Sequence, residues 1–244
     1  MGPLATADFY EKLIAQTPAA RDQEHVPLVV YAVPQVPDRT AAILYGAESP
    51  LPALLAGLRT LVAAGAQAIA IPCNTAHAWY DDLAAASPVP ILHIADAASA
   101  AAARIAGAGA RLGLVATAGT LAADFYPRRL AERGFDVIVP AAAEMADRVM
   151  PAIARVKAGD VEGGARLLER SVAALIDRGA AAVILGCTEV PVALDRLGSP
   201  LRARCVDATA ALAAACVEWW RNARPAAVPA ASRAGALDNA GRTA

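Results

Sequence analysis

Gly65-Ala-Gln-Ala-Ile-Ala-Ile-Pro-Cys73-Asn-Thr and Gly179-Ala-Ala-Ala-Val-Ile-Leu-Gly-Cys187-Thr-Glu are one pattern written twice, eight residues from glycine to cysteine each time. Each glycine follows an amphipathic helical pattern, each apolar run suits a buried strand, and each cysteine stands where that run stops. The pattern predicts a parallel α/β sheet in each half with a thiol at a strand C-terminus. Ligands bind at that edge of an open sheet, because loops and helix N-termini converge there. Two matched thiols, one per half, point to a single site between the halves.

The duplication extends outward. Gly2-Pro-Leu-Ala-Thr-Ala-Asp-Phe-Tyr10 parallels Gly119-Thr-Leu-Ala-Ala-Asp-Phe-Tyr126 with one residue of slippage, and Ile94-Ala-Asp96 parallels Val206-Asp207, all in the same order. The fold expected is α/β, two pseudo-symmetric doubly wound domains with parallel sheets and the active site between them. Residues 1–95 with 206–222 make the first domain and 96–205 the second. Residues 223–244, rich in Pro, Ala, Gly and Ser without periodicity, make a disordered tail.

Along the chain the periodicity predicts helices over 4–16, 51–64, 74–86, 96–107, 121–133 and 208–222, and a long one over 144–177 broken near Gly159 and Gly163-Gly164. Strands are expected at 26–33, 66–71, 89–94, 112–116, 135–139, 181–185 and 205–206. Two prolines keep 34–40 extended and make Gln35, Asp38 and Arg39 loop residues.

The chain of 244 residues is 57% hydrophobic and 18% charged, yet it holds no long uncharged apolar run, so no membrane span is expected. A formal net charge of −1 gives no electrostatic case for nucleic acid or an anionic membrane and leaves small molecules as the expected partners. No basic segment followed by an apolar one opens the chain, and four cysteines without a disulfide pattern fit a reducing cytoplasm. Cys73-x-x-x-His77 offers two metal ligands, but three histidines and no acidic cluster make no metal site expected.

A thiol between strand and helix sees the positive end of the helix dipole, which lowers its pKa and makes it a usable base. Asn74, Thr75 and Thr188 beside the two cysteines are short and polar enough to hold the carboxylate or amino group of a small ligand. Cys205 and Cys216, inside a strand and an alanine-rich helix, read as small buried hydrophobes. Arg39 on its loop is either a solvated charge or a fork for a carboxylate.

Pro72-Cys-Asn-Thr-Ala-His77, Gly186-Cys-Thr-Glu189, Gly2-Pro-Leu-Ala-Thr6 and Pro34-Gln-Val-Pro-Asp-Arg-Thr40 together resemble the aspartate/glutamate racemase family over nearly all of residues 1–220. Glutamate-specific members usually carry His where this chain has Glu189, so the resemblance is nearer to aspartate racemases. It implies a cofactor-independent reaction on aspartate, with glutamate as the other candidate: one cysteine thiolate removes the Cα proton, and the other cysteine, as a thiol, delivers one to the opposite face. By the same resemblance Cys73 and Cys187 are catalytic and Arg39 and Lys157 hold the side-chain carboxylate. Asn74, Thr75, Thr117, Thr120, Thr188 and Glu189 line the rest of the substrate site, and a cytoplasmic homodimer is the expected assembly. Lys157 and Lys12 are the only lysines, which singles Lys157 out mildly.

Hydantoin racemases, maleate isomerases and arylmalonate decarboxylases share that scaffold, but Arg39 and Glu189 count against them. A thiol redox protein or a non-catalytic binding module would use the cysteines otherwise; a Cys73–Cys187 disulfide needs Cα atoms within about 7 Å. The second half has strand 112–116 ahead of its Gly-x-Leu-Ala segment, whereas the first half starts at Met1. Members of the resembled family carry an apolar strand and two glycines there. The expectation is therefore a first domain lacking its first strand, an internal methionine as start, and an exposed apolar edge around Val29 and Ile69.

Overall fold

The computed structural model describes residues 2–107 and 109–223. Its two parallel sheets and flanking helices make the α/β architecture that the duplicated pattern predicts. The larger sheet has the order β4 (Asp136–Ile138), β3 (Arg111–Ala116), β5 (Ala182–Gly186), β6 (Cys205–Asp207). Leu112 of β3 sits opposite Val137 of β4 and Ala182 of β5, and Ile184 opposite Val206. The smaller sheet pairs β1 (Ile69–Ala70) with β2 (Ile91–Leu92), Ile69 opposite Ile91. β1 thus corresponds to β5 and β2 to β6, each carrying the strand that leads to, or lies beside, a cysteine.

Both faces of the larger sheet are covered, which explains why its strands read as continuous apolar runs. Leu112, Leu114, Ile184 and Val206 face α1 (Pro3–Gln16), α5 (Ile94–Ala106), α7 (Phe125–Ala131) and α12 (Ala208–Ala223). Val115, Val183 and Leu185 face α9 (Met150–Lys157), α10 (Val161–Asp177) and α11 (Glu189–Leu197). Leu112, Leu114, Ile184 and Leu185 are fully buried, and truncating any one to alanine costs about 2–5 kcal/mol in such a core. A smaller core joins α3 (Leu51–Ala63) and α4 (Tyr80–Ala86) to the small sheet through Leu54, Leu58, Ile69, Leu83 and Ile91. The two glycines that open the repeated stretch adopt φ +88° at Gly65 and +92° at Gly179. That left-handed turn ends the preceding helix and aims the chain into the strand.

Several expectations are corrected. Residues 26–33 are extended but pair with no strand, because no neighbouring backbone lies beside them to complete a ladder. Arg39 is not in a loop: it opens α2 (Arg39–Tyr45), with the Asp38 carboxylate accepting from Ala41 N at 2.7 Å as N-cap. The helix expected over 121–133 is two, α6 (Ala118–Ala122) and α7, separated where Asp124 takes φ 56°. The long helix begins as α8 (Ala142–Glu144), passes through a π-helical segment (Met145–Val149) into α9, and breaks at Gly159-Asp160. Gly163 and Gly164 lie inside α10, where Gly164 lets the helix approach Val156 and the Ala152 carbonyl. Of the tail expected over 223–244, Ala223 belongs to α12 and the rest lies outside the described residues. Among the described residues no helix is long and apolar enough to cross a membrane.

Candidate active site

A polar cavity of about 30 Å³ lies where the C-terminal ends of β1 and β5 meet. Its wall includes both repeated cysteines, Cys73 and Cys187, together with Arg39, Asn74, Thr75, Thr117, Lys157, Thr188 and Glu189. Of the residues proposed from sequence, only Thr120 is set back from the wall. It completes a triangle of hydroxyls in which Thr75, Thr117 and Thr120 stand 2.9–3.0 Å apart. Thr117 also caps α6, accepting from Thr120 N at 3.1 Å. That triangle joins the two halves through residues that follow β1 and β3.

Cys73 closes the strand end of the first half and is partly exposed; the turn Thr75–Trp79 and α4 follow it. Its carbonyl meets the His77 ring at Nδ1, 3.0 Å away. His77 Nε2 accepts from Ile94 N at 3.2 Å, so Nε2 is bare and Nδ1 carries the proton that Cys73 O receives. Burial pushes the His77 pKa down to about 4, which keeps the ring neutral in that role. His93 is likewise pushed down, to about 2, by burial and by its neighbours His77 and Arg129. His77 is thus a buried tie, not a metal ligand. Among the described residues no group of three His, Cys, Asp or Glu side chains is arranged to hold a metal ion.

Cys187 follows β5 and precedes α11, as the repeat required, but its titration runs opposite to the expectation from the helix dipole. Its pKa is raised well above the ordinary thiol value, first by burial and then by the Glu189 carboxylate; Lys157 opposes this. The thiol donates to Glu189 Oε2 at 2.9 Å, and Thr188 Oγ1 donates to the same oxygen at 3.1 Å. At rest Cys187 is a protonated thiol, a proton donor rather than a base.

Two donors at the wall are buried without a hydrogen-bond partner among the described residues, Arg39 Nε and Asn74 Nδ2. Arg39 is otherwise held by the segment before α2, donating to the carbonyls of Val36 and Pro37 at 3.1 and 3.0 Å. Asn74 Oδ1 accepts from the Tyr126 hydroxyl at 2.6 Å, which fixes the amide so that its NH₂ is the unpaired end. Buried unpaired donors are costly, and an acceptor brought into the cavity would satisfy them. Lys157, at the C-terminus of α9, is exposed and reaches the wall from the solvent side.

Sequence reasoning missed Tyr126 as the buttress of Asn74, though the repeated Asp-Phe-Tyr had already singled it out. It also missed the packing at Gly119: a Cβ there would stand 2.8 Å from Thr40 Cα and 3.1 Å from Thr75 Cγ2. Only glycine lets α6 lie against the start of α2, beside Arg39.

Two parallel α/β halves each bring one thiol to one small polar cavity, the arrangement of a two-lobed α/β enzyme. The Asp/Glu/Hydantoin racemase family model matches residues 1–216, and the chain belongs to that family. It is a racemase, an isomerase by reaction type. Picrophilus torridus aspartate racemase superposes with a TM-score of 0.77 at 30% identity, covering 89% of this chain and 90% of that one. The broad specificity amino-acid racemase RacX of Bacillus subtilis (strain 168) is 27% identical over 223 residues, 87% of this chain and 92% of the relative. Glutamate racemase of Francisella tularensis subsp. tularensis SCHU S4 shares the fold, with a TM-score of 0.60 at 16% identity over 88% of this chain and 76% of that one.

Proposed function

We propose that this racemase interconverts the enantiomers of aspartate by proton transfer between Cys73 and Cys187. The observation that carries the reading is one cavity holding both matched thiols together with two cations, Arg39 and Lys157, and two unpaired buried donors. A dicarboxylate supplies partners for all of them. Arg39 and Lys157 take the side-chain carboxylate, while Asn74 Nδ2 and the hydroxyls of Thr75, Thr117 and Thr188 take the α-carboxylate and amino group.

In the direction set by the resting state, Cys73 as thiolate takes the Cα proton and becomes a thiol. The electron pair left on Cα is delocalised into the α-carboxylate, which the hydrogen-bond donors stabilise. Cys187 then gives its proton to the opposite face and becomes the thiolate, so that one proton has entered one thiol and one has left the other. The reverse reaction exchanges the two roles.

The similarity to a broad-specificity racemase favours a second reading, in which the same two thiols act on amino acids without a second carboxylate. Incubation of single enantiomers followed by chiral chromatography separates the two. Aspartate turning over while alanine does not, with Arg39→Leu losing most of the aspartate rate, supports the first; equal rates on both amino acids support the second. In heavy water, Cys73→Ala and Cys187→Ala should each lose racemisation and each exchange the Cα hydrogen of one enantiomer only. Near-normal racemisation by either variant would refute the two-thiol assignment.

A further inference from the structure

Helix α9 carries two side chains toward the site from one face. Met150 is its first residue and Lys157 its last, seven positions apart, which places them about two turns and about 10 Å apart on the same side. Lys157 lines the catalytic cavity. Met150 is not on that wall; its thioether accepts from Ala118 N at 3.3 Å. The opposite face of α9 is locked against α10 by Ala152 and Val156: at Gly164 a Cβ would stand 2.7 Å from Ala152 O and 2.6 Å from Val156 Cγ2.

Ala118 opens α6 and directly follows Thr117, which lines the cavity. With five residues α6 is too short to be stable by itself, so its neighbours decide where it lies. The first half holds it through Thr75, which bonds to Thr117 and Thr120, and through Thr40 against Gly119. Its own half holds it at Ala118 N, one of the donors that the start of a helix leaves unpaired, and the acceptor there is the Met150 sulfur. A thioether suits the place, being unbranched, apolar along its length and able to accept. On the reading that the cavity takes a dicarboxylate, we infer that Met150 is a positioning residue that sets chain-length selectivity. By tying the turn that carries Thr117 to the helix that ends at Lys157, it fixes the span between the hydroxyls at the amino-acid end of the substrate and the cation at its side-chain end. That fixed span favours aspartate over glutamate, whose second carboxylate lies one methylene further out.

The test compares the full chain with Met150→Leu and Met150→Gln. Leucine fills a similar volume without an acceptor, which leaves the Ala118 N–H unpaired; the glutamine amide oxygen accepts in the sulfur's place. Initial rates on each amino acid, followed by circular dichroism, give kcat and KM. One methylene is worth about tenfold or more in kcat/KM, and the parent should prefer aspartate by at least about that factor. Met150→Leu should cut the preference by about fivefold, chiefly by raising KM for aspartate, while Met150→Gln keeps most of it. Amide exchange at Ala118, which needs no substrate, should be faster in the leucine variant alone. If that variant does not fold, norleucine incorporated in place of the methionines keeps the shape without the sulfur and is read instead. Packing loss without positioning would lower the rates on both amino acids alike, so an unchanged preference in Met150→Leu, or one that glutamine does not retain, overturns the proposal. Equal turnover of aspartate and glutamate by the parent overturns it too and leaves the aspartate reading standing; no aspartate turnover by the parent sinks both.

Discussion

Replacing Glu189 by glutamine should lower the pKa of the Cys187 thiol by at least one unit. Oε2 accepts from Sγ at 2.9 Å, so a thiolate formed there would stand beside a carboxylate charge. Two unit charges at that separation repel by about 1.4 kcal/mol at the dielectric constant of water and by about 6 kcal/mol at an effective value of 20. One pKa unit is about 1.4 kcal/mol, which makes one unit the floor of the change and the buried setting a reason for more. Glutamine is close to isosteric and its amide oxygen still accepts from the thiol, though more weakly than a carboxylate, so the hydrogen-bond change acts in the same direction. Burial is the larger cause of the raised value and survives the substitution, so the thiol should remain above its ordinary pKa. Lys157→Met supplies the opposite sign, because the lysine is the neighbour that favours the thiolate. The assay is the pH dependence of alkylation at Cys187, read on its own peptide by mass spectrometry in a Cys73→Ala background. An unmoved or raised midpoint in Glu189→Gln, or a lowered one in Lys157→Met, would refute the electrostatic account of this thiol.

Three further outcomes follow from contacts already described. Gly119→Ala drives a Cβ to 2.8 Å from the Thr40 backbone, which cannot rotate aside, so α2 must shift; we expect about 1–3 kcal/mol lost in urea unfolding and a larger proportional loss of kcat/KM, because Arg39 moves too. An equally stable and fully active variant would disprove the close approach. Tyr126→Phe leaves Asn74 Oδ1 without its donor in a fully buried place, at a cost of about 1–3 kcal/mol, and should raise KM; a wild-type KM would mean the amide is oriented by something else. Acid should destabilise the fold through His77: its folded pKa lies below the unfolded value, so the unfolded state binds the extra proton and stability falls as pH drops from about 6.5 towards 4, by something of the order of 3 kcal/mol. In urea titrations at several pH values, His77→Gln should reduce that slope, with His93 supplying the remainder, and a slope equal to the parent's would place the acid-sensitive group elsewhere.

The repeated Gly-to-Cys stretch was enough to predict the sheets, the strand-end thiols and their convergence, because strand periodicity and helix-ending glycines are local signals. What was not legible depends on partners distant in sequence. Residues 26–33 have the composition of a strand, but a strand exists only where a neighbour offers its backbone. The prolines around Arg39 hid a helix whose start was signalled by Asp38, a good N-cap placed three residues before Ala41 N. The direction of the Cys187 shift could not be read from its position before a helix. Burial first, and then a carboxylate two residues on at hydrogen-bond distance, outweigh a partial charge at a helix terminus.

The duplicated halves place their thiols alike but surround them differently, and racemisation limits what that difference can do. Cys73 is partly exposed at the end of a two-residue strand; Cys187 is buried at the end of a five-residue strand and bonded to Glu189. Cys187 keeps its proton at rest, so under the proposed mechanism it stands ready to protonate the enantiomer whose Cα hydrogen faces Cys73. Enantiomers have equal free energy in water, so the equilibrium constant is one whatever the enzyme, and kcat/KM must be equal in the two directions. The asymmetry can appear only as kcat and KM changed by the same factor in one direction relative to the other. Glu189→Gln, by making the Cys187 thiol more acidic, should change kcat in the direction where Cys187 is the base relative to kcat in the other, while leaving the ratio of their kcat/KM values at one. Progress curves from each pure enantiomer, followed by circular dichroism, measure all four constants. A kcat/KM ratio departing from one would show that the substrate and product are not mirror images, and the assignment as a racemase of a single stereocentre would fail with it.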